Sequence, residues 1–142
     1  TFQYAFLSLF GSRGFVWYNP LLFFLVPLLI RNVRRTNDFQ LETLTILVGT
    51  IVLMSYYWLF SSNYGGWSYS IRWFVPVLPL IYFNLYELDY LSDWRWNKPV
   101  LWALAICSII IAGIGLINPW SNLDIHAIPI IANVKQLWTI LP

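Results

Sequence analysis

The sequence predicts an all-α integral membrane protein, a polytopic transmembrane helix bundle of about four spanning helices in residues 1–117 with an interfacial tail in 118–142. Hydrophobic residues make up 59% of the chain and charged residues only 10%, whereas a soluble domain carries about 25% charge. Aromatic residues reach 20%, and nine of them are Trp, a residue that concentrates with Tyr at membrane interfaces. This composition leaves too little polar surface to coat a water-soluble globule.

The first predicted span covers residues 14–30, which carry no charge. At about 1.5 Å of rise per residue this stretch is near the short limit for crossing a bilayer. Pro20 and Pro27 each lack a backbone donor, so we expect the helix to be kinked. The arginine-rich stretch 31–40 that follows is predicted to be a water-exposed loop.

The second predicted span covers residues 41–60 and is rich in Leu, Ile and Val. It closes in the aromatic cluster 56–58, which is typical of an interfacial belt. The polar segment 61–70 contains a Gly-Gly pair and is predicted to be a loop at the opposite membrane face.

The third and fourth predicted spans cover residues 71–88 and 99–117. The third contains Pro76 and Pro79, whereas the fourth is an unbroken apolar stretch and the clearest span in the sequence. The mixed segment 118–142 is expected to lie on the membrane surface or to fold back over the bundle.

The distribution of basic residues predicts the orientation of the bundle. Five lie in the 31–40 and 89–98 loops, and three lie toward the other face: Arg31, Arg34, Arg35, Arg95 and Lys98 against Arg13, Arg72 and Lys135. Cytoplasmic loops carry an excess of Lys and Arg. The count therefore places these two loops in the cytoplasm, and it places the N-terminal segment, the 61–70 loop and the C-terminal tail outside.

The residue types exclude several kinds of site. No Walker A loop, dinucleotide-binding glycine pattern, zinc-protease histidine pair or nucleophile elbow occurs in the sequence. Cys107 is the single cysteine, which excludes an intrachain disulfide. Asp124 is the one acidic residue predicted outside, and we interpret it with His126 as an interfacial polar pair. We therefore expect no metal, no cofactor, no nucleic-acid partner and no catalytic residue in this chain.

Two arginines at the predicted outer interface are the candidate binding residues. Arg13 lies beside Gly14, and Arg72 follows the glycine-aromatic loop. A guanidinium at head-group level suits a phosphate, because it offers paired hydrogen bonds and a permanent charge. Basic side chains at helix ends also commonly extend to lipid head groups. The sequence leaves both interpretations open.

A two-part motif carries a family resemblance. The segments are SRGFVWYNP at 12–20 and YGGWSYSIR at 64–72, followed by two prolines. In order and spacing they resemble the C-terminal part of bacterial polytopic glycosyltransferases of the GT-C superfamily, relatives of the protein mannosyltransferases and of lipid A aminoarabinose transferase. The sequence departs from the usual pattern at Ser70, where Gly is common, and at Ile71, where Pro is common.

The resemblance implies transfer of a sugar from a polyprenyl-phosphate carrier at the outer face of the membrane, and it implies the bacterial inner membrane as the location of the chain. It implies that Arg72 and Arg13 engage the phosphate and that Tyr64, Trp67 and Tyr69 line the sugar or lipid groove. The family's catalytic Asp or Glu lies in a first large outer loop, to which nothing in this chain corresponds. The chain would then be the C-terminal third of such an enzyme, or a relative without the catalytic half.

A second hypothesis is a non-catalytic membrane subunit that packs in a larger membrane protein complex. The small size, the missing outer carboxylate and the aromatic and small-residue faces favour it. A transporter or channel is less favoured, because the predicted spans lack the internal charges that ion and proton pathways display.

Overall fold

The computed structural model describes residues 2–34, 38–61, 68–85, 97–119 and 128–140. Helices dominate these residues and none of them lies in a strand, which confirms the all-α class for the described chain. Within the described ranges there is a short 3-10 turn at Arg72–Phe74, and there are six α-helices: α1 (Phe2–Phe10), α2 (Leu22–Arg34), α3 (Gln40–Phe60), α4 (Val77–Tyr82), α5 (Asn97–Ile117) and α6 (Pro129–Ile140).

Two of the described helices are long and apolar enough to cross a membrane, α3 and the Lys98–Ile117 part of α5. They contain 21 and 20 residues, and about 20 residues span the hydrocarbon core of a bilayer. Only 11% of the most apolar stretch of α3 is buried, and only 6% of the most apolar stretch of α5. Such exposure differs from that of a core helix in a soluble protein. The two helices coincide with the predicted spans at 41–60 and 99–117.

The predicted span at 14–30 is not one continuous helix. Residues 11–21 form turns, and α2 begins at Leu22 and continues to Arg34, into the stretch predicted as a loop. The break has a local cause at Pro20, which has no N–H to donate and favours a turn. At this point the Leu22 and Phe23 N–H groups donate to carbonyls three residues back, at 2.9 and 3.0 Å.

The predicted span at 71–88 is also broken among its described residues. The 3-10 turn at its start is followed by α4, which has only six residues. Pro76 immediately precedes α4, and Pro79 lies in its first turn, where a proline is tolerated because the first N–H groups of a helix have no partner within it. A bundle of four continuous spanning helices is therefore not seen.

The apolar core lies where α2 packs against α3 and α4, and α1 also contacts α3. Leucines three or four positions apart give α2 one buried face, as expected for a helix with 3.6 residues per turn. The buried apolar residues of this core are Phe15, Leu21, Leu22, Leu25, Leu28, Ile71, Phe74, Val77 and Ile81.

Helix α6, which lies in the predicted tail, packs against α5. The buried Asn133 side chain donates to the carbonyls of Ile114 and Asn118, at 3.0 and 3.3 Å. The last carbonyls of a helix lack partners within it. Asn133 therefore closes the C-terminal end of α5 and ties the two helices together.

Candidate functional site

The two parts of the sequence motif pack against each other. The rings of Tyr18 and Tyr69 meet edge to face, with centroids 4.7 Å apart and planes at 86°. One layer further in, Phe15 and Phe74 repeat this geometry at 5.5 Å and 79°. Edge-to-face pairs are favourable because the ring edge is positive and the ring face negative. The motif segments thus share one aromatic interface.

A tight return of the chain onto α1 positions Arg13. The N–H of Phe15 donates to the Ser8 carbonyl at 3.0 Å, which folds residues 11–15 back along the end of α1. A Cβ atom added to Gly14 would lie 2.5 Å from the Leu9 carbonyl oxygen, so only glycine fits there. Arg13 is half-buried in this turn.

Side chains satisfy the backbone of this non-helical segment. The Tyr18 hydroxyl donates to the Ser12 carbonyl at 3.1 Å, and the Asn19 amide donates to the Phe15 carbonyl at 2.8 Å. From the other side of the bundle, the Ser108 hydroxyl oxygen accepts the N–H of Leu21 at 3.0 Å. Irregular backbone is tolerated in an apolar environment only when its polar groups find such partners.

Arg72 lies on an aromatic platform that the sequence did not reveal. Its guanidinium carbon is 5.4 Å from the centre of the Trp73 ring, a cation–π distance. Trp73 in turn stacks on Tyr57 of α3, with centroids 4.9 Å apart and planes at 22°. Arg72 is exposed. The platform orients a permanent positive charge at the surface of the motif interface.

Arg13 lies at the same end of the bundle as Arg72. It lies close enough to the Tyr18 hydroxyl for the two groups to interact electrostatically, and Tyr18 contacts Tyr69 three positions before Arg72. The structure thus brings Arg13 and Arg72 to two segments in direct contact. Tyr64 and Trp67, the other predicted binding residues, lie outside the described residues.

Tyr69 was predicted to line a ligand groove, and the structure buries it against α5. Its hydroxyl donates to the Ile111 carbonyl at 3.0 Å, and its backbone N–H donates to the Pro119 carbonyl at 3.1 Å. Burial raises the pKa of the hydroxyl to about 12. Its ring lies so close to Gly115 that a Cβ atom there would be 2.7 Å from two ring carbons. With its hydroxyl already bonded, Tyr69 positions the 68–72 segment on α5.

The carboxylates in the described part of the chain lie away from the motif interface. Asp38 and Glu42 are its acidic residues, and both lie near the start of α3. There the ring of Phe39 contacts Phe83, in the turn that follows α4. Within the described ranges no cluster of His, Cys, Asp and Glu could hold a metal ion. The predicted pair Asp124 and His126 lies outside those ranges.

A buried polar cluster near the start of α3 was not predicted from the sequence. Asn32, Thr43 and Asn84 are fully buried. The Asn84 Oδ1 atom accepts from the Thr43 hydroxyl at 3.2 Å and from the Asn32 amide at 3.4 Å. Single polar residues inside apolar stretches were the available signal, because such residues hydrogen-bond across helices in membranes. The cluster connects α2, α3 and the turn after α4.

The described residues of the two motif segments therefore lie together at one end of the bundle. Arg13 and Arg72 are carried by contacting segments, Tyr69 holds one segment on α5, and Trp73 supports the exposed guanidinium. This arrangement suits an anionic group at the surface, since guanidinium groups bind phosphate and carboxylate oxygens in pairs. In comparisons with known proteins, no protein-family model, no curated protein and no solved structure matches the chain.

Proposed function

We propose that the chain is the C-terminal transmembrane part of a GT-C-like glycosyltransferase, where it binds the phosphate of a polyprenyl-phosphate-linked sugar donor. The observation that supports this proposal best is the edge-to-face packing of Tyr18 on Tyr69, which joins the two halves of the motif. In this proposal neither Asp38 nor Glu42 is the catalytic carboxylate, because both lie near the start of α3, away from the motif interface.

The two arginines supply the binding chemistry of this proposal. Arg72 makes paired hydrogen bonds to the phosphate, and Arg13 contributes a second positive charge from the neighbouring segment. A hydrogen bond to a charged group contributes about 1.5–3 kcal/mol. The cation–π contact with Trp73 preorganises the Arg72 guanidinium, so that less side-chain freedom is lost when the donor binds.

The proposal embeds all four predicted spans in the bacterial inner membrane, with the motif interface at the outer face. Helices α3 and α5 cross the bilayer, and the broken segments at 14–34 and 71–85 lie at membrane depth beside them. Packing of α2 and α4 on α3 supports this arrangement. Broken helices occur at membrane depth where other protein elements cover their backbone, and here Ser108 and Asn19 supply such cover.

The test measures binding of a polyprenyl phosphate to the chain in lipid nanodiscs, with the uncharged polyprenol as the reference ligand. We expect Arg72→Ala to weaken binding of the phosphate by roughly tenfold or more, as loss of a charge-assisted hydrogen bond requires. Binding of polyprenol should not change. Arg34→Ala is the matched control, because Arg34 is an exposed arginine at the far end of α2. Equal phosphate affinity in the wild type and Arg72→Ala would refute the assignment.

A second candidate, a non-catalytic subunit of a larger membrane complex, is favoured by the outward face of α5. Trp102, Ile109 and Leu116 are 66%, 70% and 82% exposed, and nothing lies within 4 Å of a Cβ atom added to Gly113. A partner helix could pack closely on such a face. Copurification of a membrane protein at fixed stoichiometry, lost in Gly113→Leu, would support this candidate, whereas a chain that purifies alone would oppose it.

A further inference from the structure

A groove opens on the surface between the first turns of α3 and helix α4, remote from the motif interface. Its volume is about 500 Å³, within the range of about 300–1,000 Å³ that ligand sites occupy. One wall contains Glu42 and Ile46, and the other contains Pro79, Leu80 and Phe83. The groove is therefore apolar, with one carboxylate in its wall.

The groove has a polar end and an apolar end. Glu42 lies in the first turn of α3, and Ile46 follows it by four residues, which is about 6 Å along a helix. On the other wall, Phe83 is fixed at the start of α3 by its ring contact with Phe39, at 6.0 Å. Pro79 precedes Phe83 by one turn. Both walls thus lead from the start of α3 toward its middle.

This direction matches that of a lipid in a bilayer, given the proposed membrane embedding of α3. The start of a spanning helix lies at head-group level, and residues one turn further in lie among the acyl chains. Glu42 then faces the head group of a lipid whose chain lies along Ile46 and Leu80. Leu80 is 49% exposed, so a chain in the groove would cover apolar surface on the outside of the bundle.

Charge selects the kind of head group. Glu42 is the ionisable residue in the lining of the groove, and the hydroxyl proton of Thr45 is already donated to the Leu41 carbonyl, at 2.8 Å. A carboxylate repels an anionic glycerol-phosphate head group and attracts an ammonium group. A primary ammonium donates N–H hydrogen bonds as Lys does, whereas a trimethylated choline nitrogen has no proton to donate.

We propose that this groove binds one acyl chain of an amine-bearing phospholipid, such as phosphatidylethanolamine, whose ammonium group pairs with Glu42. The proposal depends on the membrane embedding of α3 and is independent of sugar transfer. An exposed ion pair is weak, so the groove prefers the ethanolamine lipid over the choline lipid by roughly two- to fivefold.

The experiment reconstitutes the chain in bilayers of equal parts phosphatidylethanolamine, phosphatidylcholine and phosphatidylglycerol. Lipids retained after gentle detergent extraction are then counted by native mass spectrometry. The expected wild-type result is a two- to fivefold excess of the ethanolamine lipid over the choline lipid and a larger excess over the glycerol lipid. Glu42→Gln should reduce the ethanolamine lipid to the level of the choline lipid. Leu80→Trp, which fills the groove, should lower retention of all three.

Asp38→Asn is the matched control, because it removes a neighbouring carboxylate that does not line the groove, and it should retain the wild-type preference. Equal retention of the three lipids by the wild type, an excess of the glycerol lipid, or an unchanged preference in Glu42→Gln would overturn the proposal. If Leu80→Trp does not fold, the comparison of Glu42→Gln with Asp38→Asn still tests whether Glu42 causes the preference for the ethanolamine lipid.

Failure of this proposal can be distinguished from failure of the proposed function. A chain that does not enter the bilayer refutes the membrane embedding on which both depend. A chain that enters the bilayer without preferring the ethanolamine lipid refutes only the proposal that the groove binds this lipid. Arg72→Ala should leave the lipid preference intact even where it abolishes binding of polyprenyl phosphate.

Discussion

The close approach of Tyr69 to Gly115 predicts that the smallest side-chain addition at this position destabilises the fold. In Gly115→Ala the new Cβ atom would lie 2.7 Å from the Cδ1 and Cε1 atoms of the Tyr69 ring. Ordinary carbon–carbon contacts lie near 3.5–4.0 Å, so the ring must move by roughly 1 Å. The ring is held from two sides, because its hydroxyl donates to the Ile111 carbonyl and the ring forms an edge-to-face pair with Tyr18.

The magnitude follows from the contacts that such a movement weakens. The Tyr69 hydroxyl hydrogen bond contributes about 1 kcal/mol, and an edge-to-face ring pair contributes about 0.5–1.5 kcal/mol. Replacing a helical glycine by alanine returns about 0.5–1 kcal/mol. We therefore expect Gly115→Ala to lower the free energy of unfolding by about 0.5–2 kcal/mol, which overlaps the usual range for overpacking.

Reversible unfolding in mixed micelles, followed by tryptophan fluorescence, measures this change. Gly113→Ala is the matched control, because Gly113 lies two residues away in the same helix and has no atom within 4 Å of an added Cβ. The control should be neutral or stabilising by less than about 1 kcal/mol. If the two variants unfold at the same fraction of denaturing detergent, the packing argument for Tyr69 is wrong.

Two further predictions concern hydrogen bonds. Tyr69→Phe should cost about 1 kcal/mol of unfolding free energy and should remove a tyrosinate absorbance that titrates near pH 12 rather than near the ordinary value of 10.0. Because the folded-state pKa is the higher one, the stability due to the neutral hydroxyl is fully present below about pH 10 and is lost as the pH rises toward 12. Asn84→Ala leaves the buried Asn32 and Thr43 donors without their shared acceptor and should cost about 2–4 kcal/mol of unfolding free energy. Unfolding in micelles checks Tyr69→Phe and Asn84→Ala, and an Asn84→Ala variant as stable as the wild type would contradict the role given to the cluster.

The unbroken spans could be predicted from the sequence, and the broken ones could not. After Pro99 the segment that forms α5 has neither a charge nor a proline, so hydropathy alone predicts its extent. The segment 14–30 is also apolar and uncharged, yet Pro20 and Gly14 divide it into turns and a helix. Hydropathy reports the environment of a segment but not its backbone conformation. Prolines indicate a break, and only the neighbouring contacts decide between a kinked helix and a turn.

The candidate site could be predicted in part. The sequence placed the segments of Arg13 and Arg72 at one face, and the structure brings these segments into contact through Tyr18 and Tyr69. The support of Arg72 by Trp73 and Tyr57 was missed, because it depends on the 3-10 turn and on the position of α3. The inward position of Tyr69 was missed for a similar reason. An aromatic residue in a polar loop gives no indication of which neighbour buries it.

The contacts of Tyr69 and Ser108 also bear on the order in which the chain folds. The Tyr69–Ile111 and Ser108–Leu21 bonds join residues that are 42 and 87 positions apart. In contrast, α2 with α3 and α5 with α6 are neighbours along the chain. Contacts distant in sequence require a long loop to close before they form, which makes them slow. We expect the two helix pairs to form first, so that the arginine-bearing end of the bundle acquires its final shape in the last step of folding.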